Sequence, residues 1–515
     1  MDLEYPPLPP SRAQQFSSQG LDNTRPHTPG HVESSELHPT EPGSAGSSSI
    51  NLTKVISRNG DVLVDYNDHK NPVFCQWKVS SEDLILNSPY FRALLDRNKF
   101  SEGRNLMEQK MCLDSLRTDD RGTVLSDETR SLLPRVNLPV DEFSRKFGID
   151  AIELLLRILC FNSLTDEEKG EFEVELKFKP LSIVGRLVEV ADYFNSQFAV
   201  RDMLKRTGYA FGKSRVVLNR FHSALLKLRE ERIRLMIFIA EFLDVHPVFQ
   251  VMTHTLIIAG SKLWMNGISP PTSDAAFRWQ YFSGGLEEEL YYRRQCVLNT
   301  IADLQSCFLR VYGALEEPGP SSTQSSIIAY TGPRKLQCRW GTGNSSACDV
   351  FHLGQMTRFF TLRTKTVFLG SNLIDPDFTL ETETDYDTAN ATERPHSGPP
   401  DDITSIIASL KQYPDYQIDS DHMGCGVRRR LIPALDTIEK YIADSNGLLG
   451  LDAQNKAPLS STFWTNHRLP RVQIVRIRPP TVDIMRYADT AYTRALASQD
   501  EARLLFTARA RNWEV

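Results

Sequence analysis

The sequence has 515 residues, a mass of 58.4 kDa and a formal net charge of -6 at pH 7. Its 40% hydrophobic and 24% charged residues are ordinary values for a soluble globular protein of roughly two to four domains. The acidic balance gives no overall attraction to nucleic acid or to an anionic membrane. No stretch approaches the length of about 18 apolar residues that a membrane span needs. Eight scattered cysteines without a C-x-x-C pair indicate reduced intracellular thiols rather than a disulfide framework.

The chain begins with a polar segment, residues 1–49, which is rich in Pro, Ser, Gly, Glu and His. We expect it to be disordered, because it buries too little apolar area to offset the entropy of ordering. Two β-rich runs follow at 61–66 and 71–80 and predict a hairpin or meander.

Two helix starts come directly after the second strand, in "SSEDLILNSPYFRALLDRNKFSEG" (80–103). Ser80 opens the first helix with Asp83 at the capping-box position. Ser88 caps the second, and Pro89 is preorganised at its first position because its missing N–H costs nothing there. The Asn-Ser-Pro corner therefore folds two short helices against one core.

Beyond this corner the pattern alternates between loop, strand and helix. We interpret residues about 104–131 as an inserted loop and residues 134–142 as a short strand, an edge strand in view of its prolines. Apolar residues at 3.6-residue spacing predict a helix over 148–163 and two more over 180–204. Strands at the front with helices packed behind them make an α+β domain.

The order of these elements resembles the BTB/POZ domain in the divergent form abundant in filamentous fungi. The most specific pieces are "SPYFRALL" at 88–95 and "VADYF" at 190–194, and the domain spans residues 50–208. The resemblance implies a protein-interaction module rather than an enzyme. Members of this family commonly self-associate, and many present substrates to cullin-3 ubiquitin ligases or act in transcriptional repression.

The rest of the chain is predicted to be mainly helical. Residues 209–315 form a helical extension, with amphipathic helices at 223–243, 249–266 and 286–315. In the family that the chain resembles, such helices follow the BTB module, which favours an extended interaction unit. Residues 316–331 are a linker, and 332–515 are a mainly helical C-terminal region. This region contains a long acidic loop at about 381–402.

The last region holds the residue types that bind metal. Cys338, Cys348 and His352 come first, and His422 and Cys425 follow three residues apart. Cys338, Cys348, His352 and Cys425, with His422 as a substitute, are what a tetrahedral structural zinc site needs. The alternative is that the cysteines are buried small hydrophobes and His352 is a satisfied helix residue. Because no ligand pair has the tight C-x-x-C form, the spacing favours this second interpretation, and both stay open.

Motifs for catalysis and nucleotide binding are missing from the sequence. "TGYAFGKS" (207–214) resembles a P-loop, but its glycines stand one residue too close and it follows a predicted helix. We therefore predict no enzyme and no cofactor other than the zinc discussed above.

The predicted function is a scaffold or adaptor that binds other proteins, with self-association and cullin-3 as the expected contacts. The alternative is a chromatin- or DNA-associated transcriptional regulator with the same module. We expect a cytoplasmic or nuclear location.

Overall fold

The computed structural model describes residues 50–67, 73–118, 133–138, 147–212, 217–264, 268, 276–313, 337–338, 344–364, 402–452, 459–466, 474–477, 491–508 and 510–513. The predicted tail 1–49, the linker 316–331 and the acidic loop 381–402, except for its last residue Asp402, lie outside these residues. Residues 49–515 form one compact unit, and the described part shares one large apolar core.

A mixed four-stranded sheet opens the described chain. Its strands are β1 (Ile50–Val55), β2 (Val62–Asn67), β3 (Val73–Val79) and β4 (Arg135–Asn137), in the spatial order β1-β3-β2-β4. β2 and β3 form the predicted antiparallel hairpin, with Val64 opposite Trp77, while β1 runs parallel to β3 and β4 runs parallel to β2. The predicted edge strand is confirmed as β4. β1 was not predicted, because its six residues directly follow the polar tail and carry little alternation.

The helices of this first part alternate with short turns and pack on the sheet and on each other. They are α1 (Ser81–Asn87), α2 (Pro89–Leu94), α3 (Ser101–Thr118), α4 (Ile149–Leu159), α5 (Asp166–Lys177), α6 (Leu181–Tyr193) and α7 (Gln197–Arg206). The helices predicted over 148–163 and 180–204 are confirmed as α4, α6 and α7. α5 was not predicted, because it is strongly charged and buries only Phe172 and Leu176. The fold class, α+β with a small sheet and mostly helices, agrees with the prediction.

The corner between α1 and α2 has the predicted double cap. The Ser80 hydroxyl accepts a hydrogen bond from the Asp83 backbone N–H, and the Ser88 hydroxyl accepts one from the Phe91 backbone N–H, both at 3.3 Å. Ser88 is fully buried and also donates to the Phe194 carbonyl at 2.8 Å. This bond ties the corner to the end of α6, so the two sequence pieces that carry the family resemblance meet in space.

The loop prediction over 104–131 is wrong for residues 104–118, which belong to helix α3. α3 packs through a narrow face that includes Gly103 and Leu106, while the Lys110 ammonium binds the Asp61 carboxylate at 2.6 Å. A helix that buries so few apolar side chains has no apolar stripe in its sequence, which explains the error. Residues 119–131 lie outside the described part.

The second part of the chain is helical, as predicted. Its helices are α8 (Glu230–Leu243), α9 (His246–Ala259), α10 (Leu286–Val311), α11 (Ser345–Arg358), α12 (Ile403–Lys411), α13 (Arg428–Ile442) and α14 (Ala491–Thr507). A parallel pair of short strands, β5 (Ile474–Ile477) and β6 (Ala510–Trp513), lies near the C-terminus. The helix predicted over 223–243 is interrupted: a 3-10 turn at Ser223–Lys227 is followed by extended backbone at Leu228 and Arg229 before α8 begins.

Buried polar groups attach the C-terminal segments to α9 and α10. The Arg293 guanidinium pairs with Glu289 at 2.7 Å and donates to the carbonyls of Leu449, Gly450 and Thr462 at 2.8 to 2.9 Å. The Glu289 carboxylate also accepts the Trp464 backbone N–H at 2.6 Å. These contacts hold the segments around residues 449–450 and 462–464 on α10. Among the described helices, none combines the length and the apolarity needed to cross a bilayer.

Candidate metal centre

Three cysteines from separate segments meet in the C-terminal region. Cys338, Cys348 and Cys425 are buried, and their Sγ atoms all lie within 4.8 Å of one another. The Sγ atoms of Cys338 and Cys425, which are 87 residues apart in sequence, are separated by 3.9 Å. The structure thus brings together the three cysteines of the predicted zinc set.

A buried carboxylate positions Cys338. Asp349, which follows Cys348 on α11, accepts the backbone N–H groups of Gln337 and Cys338 at 2.9 and 3.1 Å. The Arg430 guanidinium at the start of α13 donates to the Gln337 side-chain carbonyl at 2.5 Å. The short segment 337–338 is therefore fixed from α11 on one side and from α13 on the other.

Cys425 lies in a tight turn just before α13. Its backbone N–H donates to the carbonyl of His422 at 3.2 Å. Gly424 has a φ of +82°, a conformation that residues with a Cβ adopt at a cost, so glycine is required there. A Cβ at Gly426 would lie 2.8 Å from an oxygen of the Asp415 carboxylate, so a larger residue there would displace that side chain. Gly424 allows the turn to close, which places His422 and Cys425 on the same short loop.

His422 has the environment of an oriented metal ligand. Its Nδ1 lies 2.7 Å from the Asp419 carboxylate, and its side chain is only 5% exposed. Its Nε2 is buried without a hydrogen-bond partner among the described residues, and Cys338 is near enough to act on its charge. The hydrogen bond that the His422 imidazole donates to the Asp419 carboxylate raises the pKa of His422. A carboxylate on one ring nitrogen and a buried, unpaired second nitrogen is the usual arrangement of ligating histidines.

His352, the histidine named first in the predicted set, is also buried. It lies one helical turn after Cys348 on α11, and neither ring nitrogen has a hydrogen-bond partner. Its ring centroid is 6.0 Å from that of Tyr312. Burial lowers the pKa of His352, so its imidazole is neutral at physiological pH. The alternative interpretation, a helix histidine with satisfied hydrogen bonds, does not describe this residue.

The thiol of Cys348 does not have the properties of a reactive cysteine. Burial raises the pKa of the Cys348 thiol, and the nearby sulfurs of Cys338 and Cys425 raise it further. A nucleophilic or redox cysteine instead needs a lowered pKa and access to solvent. The arrangement is suited to a soft cation or to inert packing, and it gives no support for catalysis by these residues.

Sequence reasoning found the cysteines and both histidines but missed the residues that hold them. Asp349 and Asp419 were not singled out, although Asp349 follows Cys348 directly and Asp419 stands three residues before His422. An acidic residue at such a spacing is the only signal the sequence offers for a carboxylate that orients a ligand.

Comparison with known proteins identifies no relative for this chain. No family model matches it, and neither a curated protein nor a solved structure is significantly similar to it. The functional interpretation therefore rests on the residues and contacts described above.

Proposed function

We propose that this protein is a non-enzymatic scaffold or adaptor that binds other proteins through a BTB/POZ-like module. The order of the hairpin β2–β3, the corner α1–α2, the edge strand β4 and the helices α4, α6 and α7 supports this proposal. It is the element order that the sequence resemblance implies. The contact between the Ser88 hydroxyl and the Phe194 carbonyl supports it further, because it joins the two most specific sequence pieces.

The surface of α3 is the observation that carries the proposal. Met107 and Met111 are 42% and 64% exposed, and Phe100, just before the helix, is 47% exposed. Met107 and Met111 are four residues apart, so they lie on the same side of the helix. Methionine is flexible and polarizable and is favoured at surfaces that bind protein partners. A helix that buries few side chains in the core of its domain and exposes such apolar side chains is suited to contact with another molecule.

The partner we propose for this surface is a second copy of the chain. α3 packs against β4, the short edge strand of the described sheet, where the Gln109 side chain accepts the Arg135 backbone N–H at 2.8 Å. Met107 and Met111 each stand two residues from Gln109, so they lie on the other side of the helix and form an exposed apolar face that this contact does not cover. Self-association also agrees with the behaviour that the family resemblance implies.

Light scattering after size-exclusion chromatography of the full chain tests this proposal. We expect a mass above that of the 58.4 kDa monomer that rises with concentration. The double variant Met107→Glu/Met111→Glu should shift the protein toward monomer. The matched control Asn105→Glu/Cys112→Glu adds the same charge to exposed positions on the other side of α3 and should behave like the wild type. A wild-type protein that stays monomeric at high concentration would contradict the proposal.

A second experiment separates an adaptor of a ubiquitin ligase from a scaffold of another kind. Purified cullin-3 is tested for direct binding to the full chain by pull-down. Binding supports the adaptor role. Self-association without cullin-3 binding supports a scaffold in another assembly, including the alternative role in transcriptional regulation.

A further inference from the structure

We infer that Cys338, Cys348, Cys425 and His422 together bind one Zn²⁺ ion as a structural site. This inference goes beyond the proposed scaffold function and does not depend on it. It replaces His352, which the sequence suggested as the fourth ligand, by His422. On binding, each of the three thiols releases its proton to solvent and binds as thiolate.

The separation of the sulfur atoms agrees with such a site. Around a tetrahedral zinc ion with Zn–S bonds of ~2.3 Å, two sulfurs lie roughly 3.8 Å apart. The Sγ atoms of Cys338 and Cys425 are 3.9 Å apart, and that of Cys348 is within 4.8 Å of both. Three thiolates in this geometry form one face of a ligand tetrahedron and leave a fourth position for a nitrogen ligand.

The contacts of the two histidines select His422 for that position. Its Nδ1 lies 2.7 Å from the Asp419 carboxylate, its Nε2 is buried without a hydrogen-bond partner among the described residues, and Cys338 is near enough to act on its charge. It also shares a tight turn with Cys425, as paired zinc ligands commonly do. His352 has no carboxylate hydrogen-bonded to either ring nitrogen. Its ring centroid lies 6.0 Å from that of Tyr312, and a Cβ built at Gly426 would lie 3.9 Å from its Cε1.

The surroundings of the cluster match what a bound zinc ion requires. Asp419 orients the histidine, and Asp349 accepts one hydrogen bond each from the backbone N–H groups of Gln337 and Cys338. A Cys₃His site carries a net charge of -1 with zinc bound, and the cationic Arg430 is anchored next to it on Gln337. Such outer contacts fix the ligands in place before the ion arrives.

The consequence for the protein is a cross-link between distant parts of the chain. The ion would join residues 337–338, helix α11 and the turn before α13, which the sequence separates by up to 87 residues. Zinc binding in such a site adds directly to folding free energy. The ion would therefore hold the C-terminal region together and has no catalytic role here, since all four positions are filled by protein ligands.

Elemental analysis of the purified full chain is the first test. We expect about one zinc ion per chain after expression in zinc-supplemented medium. Cys348→Ser should lose it, whereas Cys112→Ser, a change at an exposed cysteine remote in sequence, should retain it. Metal removed with a chelator is then replaced by Co²⁺, whose absorption reports a tetrahedral site and whose charge-transfer intensity grows with the number of thiolates. This measurement on the wild type does not depend on the folding of any variant.

Histidine variants test the assignment of the fourth ligand. His422→Gln should change the Co²⁺ spectrum and weaken zinc binding, while His422→Cys should restore a tetrahedral spectrum with greater thiolate intensity. Asp419→Asn should weaken zinc binding by about 10- to 100-fold, the usual effect of removing a partner of a ligating histidine. His352→Gln and the control His222→Gln should leave the spectrum unchanged.

Two results would overturn the inference. Less than about a tenth of an equivalent of zinc, together with no tetrahedral Co²⁺ spectrum after reconstitution, would exclude the site. A spectrum lost in His352→Gln but kept in His422→Gln would assign the fourth position to His352 and refute our choice. Neither result affects the self-association experiment, so failure of the zinc site and failure of the scaffold function are distinguishable.

Discussion

The N-terminal sheet region and the C-terminal region are held in place by different kinds of contact. In residues 50–212 the core consists of apolar side chains, such as Trp77, Phe91 and Leu155, and polar contacts such as that of Ser88 with Phe194 or the partly exposed ion pair of Lys110 with Asp61 are added to it. Residues 402–466 also have an apolar core, but two buried charged residues of α10, Glu289 and Arg293, in addition bind their backbone. The guanidinium of Arg293 alone reaches three backbone carbonyls between residues 449 and 462.

This difference predicts how each region responds to substitution. Apolar packing is distributed over many contacts, so a truncated side chain removes part of the core and leaves a cavity. A buried ion pair concentrates its effect, because removing one partner leaves the other charge buried and uncompensated. The C-terminal region should therefore be more sensitive to a single well-chosen change.

The largest effect is expected for Arg293→Met. This change leaves the fully buried Glu289 without its cation and three carbonyls without a donor, so it should lower the free energy of unfolding by about 3–5 kcal/mol. Urea unfolding followed by circular dichroism measures the loss. Arg310→Met, at an exposed position of the same helix, is the control and should change stability by less than about 0.5 kcal/mol. Equal effects in the two variants would refute the role assigned to Arg293.

A comparable core truncation tests the N-terminal region. Phe91 is 1% exposed and stacks on Phe194, with ring centroids 5.3 Å apart. Phe91→Ala should cost about 3 kcal/mol through lost burial and the cavity left behind. Phe198→Ala removes the same atoms from a side chain that is 80% exposed and should be nearly neutral. A loss in Phe91→Ala greater than that in Arg293→Met would reverse the comparison.

Features that follow from a local sequence pattern could be predicted, whereas features that depend on contacts between distant residues could not. Strands β2 and β3, the capped starts of α1 and α2 and the long helix α10 follow from patterns within about 20 residues, and they were predicted. α3 and α5 were missed, because helices that bury few apolar residues leave little periodicity. Tertiary contacts, such as that between Ser88 and Phe194, have no local pattern at all.

The candidate metal site was predicted only in part, for a related reason. Residue type identified Cys338, Cys348 and Cys425, but their meeting across 87 residues depends on the fold. The sequence favoured His352 over His422, because a residue four positions after Cys348 on a helix lies on the same face as that cysteine. The contact of Asp419 with His422, on which our choice of His422 rests, lies in a turn whose geometry depends on Gly424.

His254, a buried residue of α9, allows the contacts of the C-terminal region to be tested by a change of pH. Its Nε2 contacts the Ile442 carbonyl at 3.0 Å, and its Nδ1 accepts the Leu449 backbone N–H at 3.1 Å. Burial lowers the pKa of His254 from 6.5 to about 3. The unfolded chain therefore binds a proton below pH 6.5 that the folded chain does not bind until about pH 3, so stability falls as the pH falls through this window.

The expected slope is at most about 1.4 kcal/mol per pH unit for this one group. It is measured as the difference in unfolding free energy between the wild type and His254→Gln from pH 7 to pH 4. The difference should shrink as the pH falls, since the variant has no histidine to titrate at this position. His222→Gln should follow the wild-type curve. A difference that stays constant with pH would show that His254 is not held neutral.

The smallest effect is expected at the corner between α1 and α2. Ser88→Ala removes the acceptor for the Phe91 N–H and the donor to the Phe194 carbonyl, and should cost about 1 to 2 kcal/mol. Thr165→Ala removes the exposed cap of α5, which has no tertiary partner among its described hydrogen bonds, and should cost less, about 0.5 to 1 kcal/mol. Thermal unfolding of the two variants gives the comparison. If the losses are equal, the bond to Phe194 adds nothing to the cap, and the corner is stabilised by local contacts alone.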